Sequence, residues 1–244
     1  HPDVTTRIVF KKGPREIYGT PVTTAVEDVK DMRVALPPGL IGNPEAYPKC
    51  RPADFPACPA DTQVGVAKLV TLLAPELQSP VYNMEPAQGK LAQFAFSALG
   101  VINVQITADV RSDGDYGLTM SIPDINNFSP VESTELTFWG VPASPANDAE
   151  RQKYCASLGG PANCGVGTTG DPYPAEGVKS GAALKPFMIS PTRCGPMGKV
   201  AVAMNTWTTP GEFRSAEFDA PSLTGCDALK FEPALSVRTS SREA

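Results

Sequence analysis

The sequence predicts an all-β protein, an antiparallel β-sandwich of the immunoglobulin-like or jelly-roll type, with at most one short helix. Three observations carry this. Short segments alternate apolar and polar residues with period two; turn residues interrupt them densely; helical periodicity is nearly absent. The clearest case is "VINVQITADVRSDGDYGLTMSI", residues 101–122. Ile102, Val104, Ile106, Ala108 and Val110 alternate with polar residues, and Leu118, Met120 and Ile122 do so again beyond Asp113-Gly114-Asp115. Two half-buried strands around a Gly-containing polar tip make a hairpin.

The remaining elements follow in order. Val4, Thr6, Ile8 and Phe10 alternate as a first strand, which either pairs in its own sheet or adds to a neighbour's; "GPREIYGTP" after it reads as loose chain. Met32, Val34 and Leu36 share one face of "VKDMRVAL" (29–36), which stops at Pro37-Pro38-Gly39 because proline offers no ladder donor. Strands are expected at "TQVGVAKLVTLL" (62–73), "PVYNM" (80–84), "LAQFAFSAL" (91–99) and "STELTFWGV" (133–141). From 142 to 186 sustained alternation is lost. Within that stretch "NDAERQKYCASL" has the pattern of a short helix capped by Asn147, with Asp148 and Glu150 in its first turn. Strands resume at "PFMIS" (186–190), "KVAVAMNTW" (199–207), "EFRSAEF" (212–218) and "LSVRT" (235–239). The expected organisation is one sandwich over 1–238 with a loop-rich insertion at 142–186 and a tail or linker at 239–244. Two smaller packed sandwiches are the alternative.

Composition bounds the compartment and the partners. Six cysteines sit in loop-like settings. Fifteen pairings are formally open; the simplest is local, Cys50 with Cys58 and Cys155 with Cys164, leaving Cys194 with Cys226. No Cys-x-x-Cys or Cys/His cluster offers a metal the spacing it needs. Disulfides imply an oxidising compartment, and the opening His1-Pro2-Asp3 suits a mature end after export. No apolar run approaches the ~20 residues of a membrane helix. The net charge is −5, and Lys11-Lys12 is the one basic doublet, which disfavours nucleic acid.

Catalytic constellations are sought and not found. The single histidine is residue 1, so neither a Ser-His-Asp triad nor a histidine zinc site is available within the chain. A copper site at His1 lacks a second histidine. "GVGTTGDPYP" is glycine-rich but follows no strand and opens no helix, which argues against a phosphate loop. Paired carboxylates acting on glycosides stay open, although aromatic platforms are few: two Trp, six Tyr and ten Phe. Trp139 and Trp207 at strand ends read as half-buried packing residues. Asp113 and Asp115 supply too few oxygens for calcium and read as a turn. Asn127-Phe128-Ser129 is a glycosylation sequon.

Several stretches occur in a telling order: "VKDMRVALPPGLIGNPEAYPKC", "CPADTQVGVA", "VYNMEP", "FAFSALGV", "SDGDYGLTMSI", "LTFWGVPASP", "PFMISPTRCG" and "GCDALKFEPALSV". Together, over about residues 29–238, they resemble the N-terminal region of large secreted β-rich surface proteins of actinobacteria, a family without assigned function. The resemblance implies export, surface residence, disulfides and further domains downstream; it carries over no catalytic residue. Where such relatives tend to show His-Asp after "WGVPA", this chain has Asn147-Asp148. The expected function is therefore a non-enzymatic extracellular or cell-surface structural or interaction protein. It would need no cofactor and would meet protein partners, or copies of itself, through edge strands. A carbohydrate-binding module and a glycoside-acting enzyme are the alternatives.

Overall fold

The structure, a computed structural model, describes residues 1–112, 114–157, 163–166, 171–191 and 193–228. The strand expected at 235–239, the tail and Asp113 lie outside the described residues. The strands are β1 Val4–Val9, β2 Lys12–Ile17, β3 Thr20–Ala25, β4 Val29–Ala35, β5 Ile41–Gly42, β6 Gln63–Thr71 and β7 Glu76–Met84. They continue with β8 Ala92–Ala98, β9 Ile102–Val110, β10 Leu118–Ile122, β11 Val131–Phe138, β12 Lys153–Ser157, β13 Asn163–Val166 and β14 Asp171–Pro172. The last are β15 Met188–Ile189, β16 Gly195–Pro196, β17 Lys199–Thr206, β18 Arg214–Asp219 and β19 Ser222–Leu223.

The protein is all-β and antiparallel, and its two sandwich layers belong to one curled sheet. The strand order is β1-β11-β6-β7-β8-β9-β10-β4-β17-β18, with β12, β13 and β14 branching from β7. Register shifts at Gln63/Gly65 in β6, Val131/Ser133 in β11 and Asn205/Thr206 in β17 mark where the ladder bends, as an extra residue on one strand forces it to. Gly65 is obligatory at the first of these. A Cβ there would lie 2.0 Å from the Thr137 carbonyl oxygen of the neighbouring strand.

The curl brings the apolar faces of β1–β11–β6 and β8–β9–β10–β4 towards each other. Ile8 and Phe10 join the cluster of Met32, Val34 and Val202. Phe94 and Phe138 meet edge to face at 5.0 Å, and Phe187 stacks on Phe138 at 6.2 Å. β8 is buried on both faces along its whole length, because the 43–62 loop covers its outer side. There Cys50, Cys58, Tyr82, Met84 and Ala95 form a second small core. The buried Asn83 side chain holds this loop down by donating to the carbonyls of Pro44, Tyr47 and Pro48 at 2.9–3.2 Å. The opening hairpin forms as expected, Leu118 opposite Val110 and Ser121 opposite Thr107. β1 pairs with β11 in its own sheet.

Two segments differ from the sequence reading. The "loose" stretch after β1 is a regular hairpin, with Ile17 opposite Thr20 and Lys12 opposite Ala25. Its two-residue turn, Tyr18-Gly19, has positive φ at both positions (50° and 76°), the requirement of a turn matching strand twist. Pro14 and Pro21 disguised it, since proline within a run argues against a strand. The expected helix over 147–158 is instead a 3₁₀ turn, Pro145–Asn147, followed by β12. Ser144 takes the cap role, accepting from the Ala146 amide at 3.3 Å. β12 then adds to β7, where Cys155 faces Gln78, so ladder partners outweigh a weak local helical preference.

Candidate functional site

Inside the curl the two apolar faces do not fill the space between them. A cavity of about 410 Å³ runs along the strands. β1 and the residue after it contribute Val4, Thr6, Ile8 and Phe10; β11 adds Thr134, Leu136 and Phe138. Across the gap, Phe94 and Phe96 of β8, Val104 and Ile106 of β9, and Met120 and Ile122 of β10 face them. Met32 and Val34 of β4 complete the wall. These are the alternate positions of each strand, so period two aims one set inward. The volume falls within the ~300–1,000 Å³ usual for small-molecule sites, which are mostly apolar and largely pre-formed.

The cavity has two different ends. At one, Ile41, Leu91 and Val110 line the space while staying 45%, 59% and 47% exposed. Exposed large apolar side chains on the rim of an apolar cavity mark a mouth. Phe187 and Met188 flank this end, held by the Phe187 amide donating to the Gly140 carbonyl at 2.7 Å. At the other end lie Asp28, Asn126 and Ser129, each with a side-chain oxygen accepting from the protein. Both Asp28 oxygens accept from Arg15 (3.1 and 2.8 Å), and this hydrogen bonding to Asp28 raises the Arg15 pKa. The Asn126 Oδ1 accepts from the Phe128 amide at 2.7 Å, and Ser129 Oγ from the Leu73 amide at 3.1 Å. The site therefore offers dispersion and hydrophobic burial, and among the described residues it holds no nucleophile beside a base. Among the described residues, Asp28 is the one carboxylate in its lining, so it contains no carboxylate pair.

The residues singled out in the sequence lie elsewhere. Cys50–Cys58, Cys155–Cys164 and Cys194–Cys226 are bridged, with no free cysteine among the described residues. The first staples the 43–62 loop, the second joins facing positions of β12 and β13, and the third sits beside the β16–β19 pair. Three bridges indicate an oxidising, non-cytoplasmic setting. No described helix is long and apolar enough to cross a membrane. At the hairpin tip, the Asp115 carboxylate accepts from Arg111 at 2.6 and 2.9 Å and from the Gly117 amide at 2.8 Å, interactions that lower its pKa. Asp115 thus closes a turn. Trp139 is buried, whereas Trp207 is 39% exposed and donates its indole N–H to the Ile125 carbonyl at 2.9 Å.

Asn147 and Asp148 belong to a polar knot around Arg151, a guanidinium with no exposure to solvent. Arg151 donates to the carbonyls of Val178 (3.1 Å), Pro142 (2.8 Å) and Ser144 (3.3 Å) and to the Asp148 carboxylate (3.2 Å). Its carbon centre lies 5.3 Å from the Trp139 ring. Burial lowers its pKa while Asp148 opposes that shift; guanidinium remains charged regardless. The Asn147 amide donates to the Val141 and Pro142 carbonyls, and the Tyr173 hydroxyl to those of Asp148 and Arg151. Such an arrangement satisfies the backbone of an irregular loop. No family model, curated protein or solved structure matches the chain.

What sequence reasoning missed is the cavity. Its wall residues were visible as alternating apolar positions, but the same pattern describes a filled core.

Proposed function

We propose that this chain is a non-enzymatic binding protein of an exported, extracellular or cell-surface location, and that it holds an apolar molecule inside its curled sheet. The cavity carries this reading: about 410 Å³ of apolar space with a hydrophobic mouth. A fully packed interior would bring dispersion contacts that a void forgoes, so an unfilled core of this size makes physical sense as a place for a ligand. The three disulfides support the exported setting, and the resemblance to actinobacterial surface proteins supports a place in a longer surface chain. The test is a thermal-shift and native mass spectrometry screen on the oxidised protein against an apolar set and a glycan set. A ligand at 100 times its Kd should add about 2.7 kcal/mol of stability. Stabilisation by apolar compounds alone is expected; stabilisation by glycans alone, or by nothing, overturns the proposal.

A second reading, joining to copies of itself or to a protein partner through a sheet edge, is favoured by β18. It ends the strand order, and every one of its residues is exposed. Unpaired edge groups template further strands. Light scattering across a concentration series tests self-association, and a strict monomer throughout sinks it.

A further inference from the structure

The shape of the cavity narrows the ligand class, and this step rests on the reading above that the cavity takes an apolar molecule. We infer that the occupant is a single unbranched hydrocarbon chain, entering tail-first past Ile41, Leu91 and Val110 with its polar head left at the mouth.

The lining runs from Val4 to Phe10 on one side and from Val29 to Leu36 on the other. At about 3.3 Å per strand residue, these spans give a length of about 20 Å. The 410 Å³ is the space open to the centre of a water molecule; spread over that length it gives a mean cross-section of about 20 Å², or about 5 Å across. A methylene is about 0.6 Å larger in radius than water, so a chain axis is confined to less than about 4 Å, the separation of carbon atoms in contact, and one chain fits where two side by side do not. The inner end sets the orientation. Asp28 and Ser129 already accept hydrogen bonds from the protein there, and a ligand head group buried beside the Asp28 carboxylate would lose more hydration than it gains in bonds. At the mouth the situation is reversed. Leu91 follows Lys90, whose ammonium pairs with Asp109 at 3.0 Å, both side chains being 41% exposed. A polar head can stay hydrated beside these charges.

Length selectivity follows. An extended hydrocarbon advances about 1.25 Å per carbon, from a bond of about 1.5 Å set in a zigzag, so a length of about 20 Å takes about 16 carbons. Affinity should rise about fourfold per added methylene and level off near 16 carbons.

The experiment titrates the full oxidised chain with saturated fatty acids of 8 to 18 carbons, displacing a fluorescent acyl probe, with native mass spectrometry for stoichiometry. A rigid polycyclic apolar compound serves as the comparison ligand. The expected result is one fatty acid per chain, a break near 16 carbons, and little binding of the polycycle. Val104→Phe, which narrows the middle of the cavity, should weaken fatty acids at least tenfold. Leu91→Asp at the exposed rim should weaken them about tenfold without altering the melting temperature, which separates lost binding from lost fold. Binding of the polycycle but not of linear chains overturns the single-chain inference while leaving the apolar-ligand reading standing. Two chains per protein, or affinity independent of length, also overturns it. Binding of neither class sinks both. If removal of residues 229–244 is needed before any fatty acid binds, the chain's own end is the occupant and the inference is wrong.

Discussion

Replacing Arg151 with Met removes the one side chain that ties three separate backbone stretches together, at residues 142–144, 148 and 178. Methionine approximates the length of the stem and restores packing against Trp139, so the loss is mainly one of hydrogen bonding. The Pro142 and Val178 carbonyls, at 2.8 and 3.1 Å, lose their guanidinium donor, as does the more distant Ser144 carbonyl. An unsatisfied buried acceptor costs about 1–3 kcal/mol, and breaking a buried pair by deleting one partner about 3–5 kcal/mol. Asp148 keeps 18% side-chain exposure, so water partly solvates its carboxylate and the lower part of that range applies. The expected loss is about 3 kcal/mol, a large share of the ~5–15 kcal/mol that folded proteins possess. With a urea slope near 3 kcal/mol/M for a chain of this size, the midpoint should drop by about 1 M. Arg151→Lys keeps the charge but not the planar fork, and should lose about half as much. Urea unfolding of the oxidised variants, followed by tryptophan fluorescence, measures both. A drop below about 0.3 M for Arg151→Met would show that the knot is incidental to stability.

Gly65→Ala should lower the melting temperature by about 6–12 °C, a loss of about 3 kcal/mol, because its Cβ meets the Thr137 carbonyl oxygen on β11; an unchanged melt would mean that the bulge relaxes freely. Asp31 has a depressed pKa, held first by the Asp124 amide and then by Asn205 and Lys30. Its contribution is therefore fully present above the unfolded value near 4 and is lost as pH falls through the lower folded value. Asp31→Asn should lower stability at pH 6 and flatten the acid limb below about pH 4; an unaltered limb in urea melts at pH 6 and pH 3 rejects this. Converting Cys194 and Cys226 to Ser together should cost about 3.7 kcal/mol by loop entropy, against about 2.6 kcal/mol for the Cys155/Cys164 pair, since the loops span 32 and 9 residues. Thermal melts of the two double variants give the order, and a reversed order refutes the loop-length argument. Ile106→Asp should prevent folding, because Ile106 is fully buried and the charge would be unpaired; a folded variant by circular dichroism contradicts the inward orientation of β9.

Much of this architecture is written locally. Ile102 to Val110 alternate because a strand with one inner face must do so, and the Leu118 to Ile122 side of the hairpin repeats the device. Cysteines eight and nine residues apart lie within reach of each other whatever the distant chain does, so the pairs Cys50–Cys58 and Cys155–Cys164 are readable in advance. The buried second face of β8 was less legible, since the 43–62 loop, pinned by Asn83, is what makes Ala95 interior. The fate of Lys153–Ser157 likewise depended on a partner: β7 supplied ladder bonds that no local signal announces. The cavity lies furthest from the sequence. Alternation fixes which side chains point inward, but the distance between opposing faces is set by bulges at Val64, Glu132 and Lys30 and by the curl of the whole sheet. Whether inward side chains meet or leave a channel is a property of that curvature, and curvature is a sum over strands that no single segment contains.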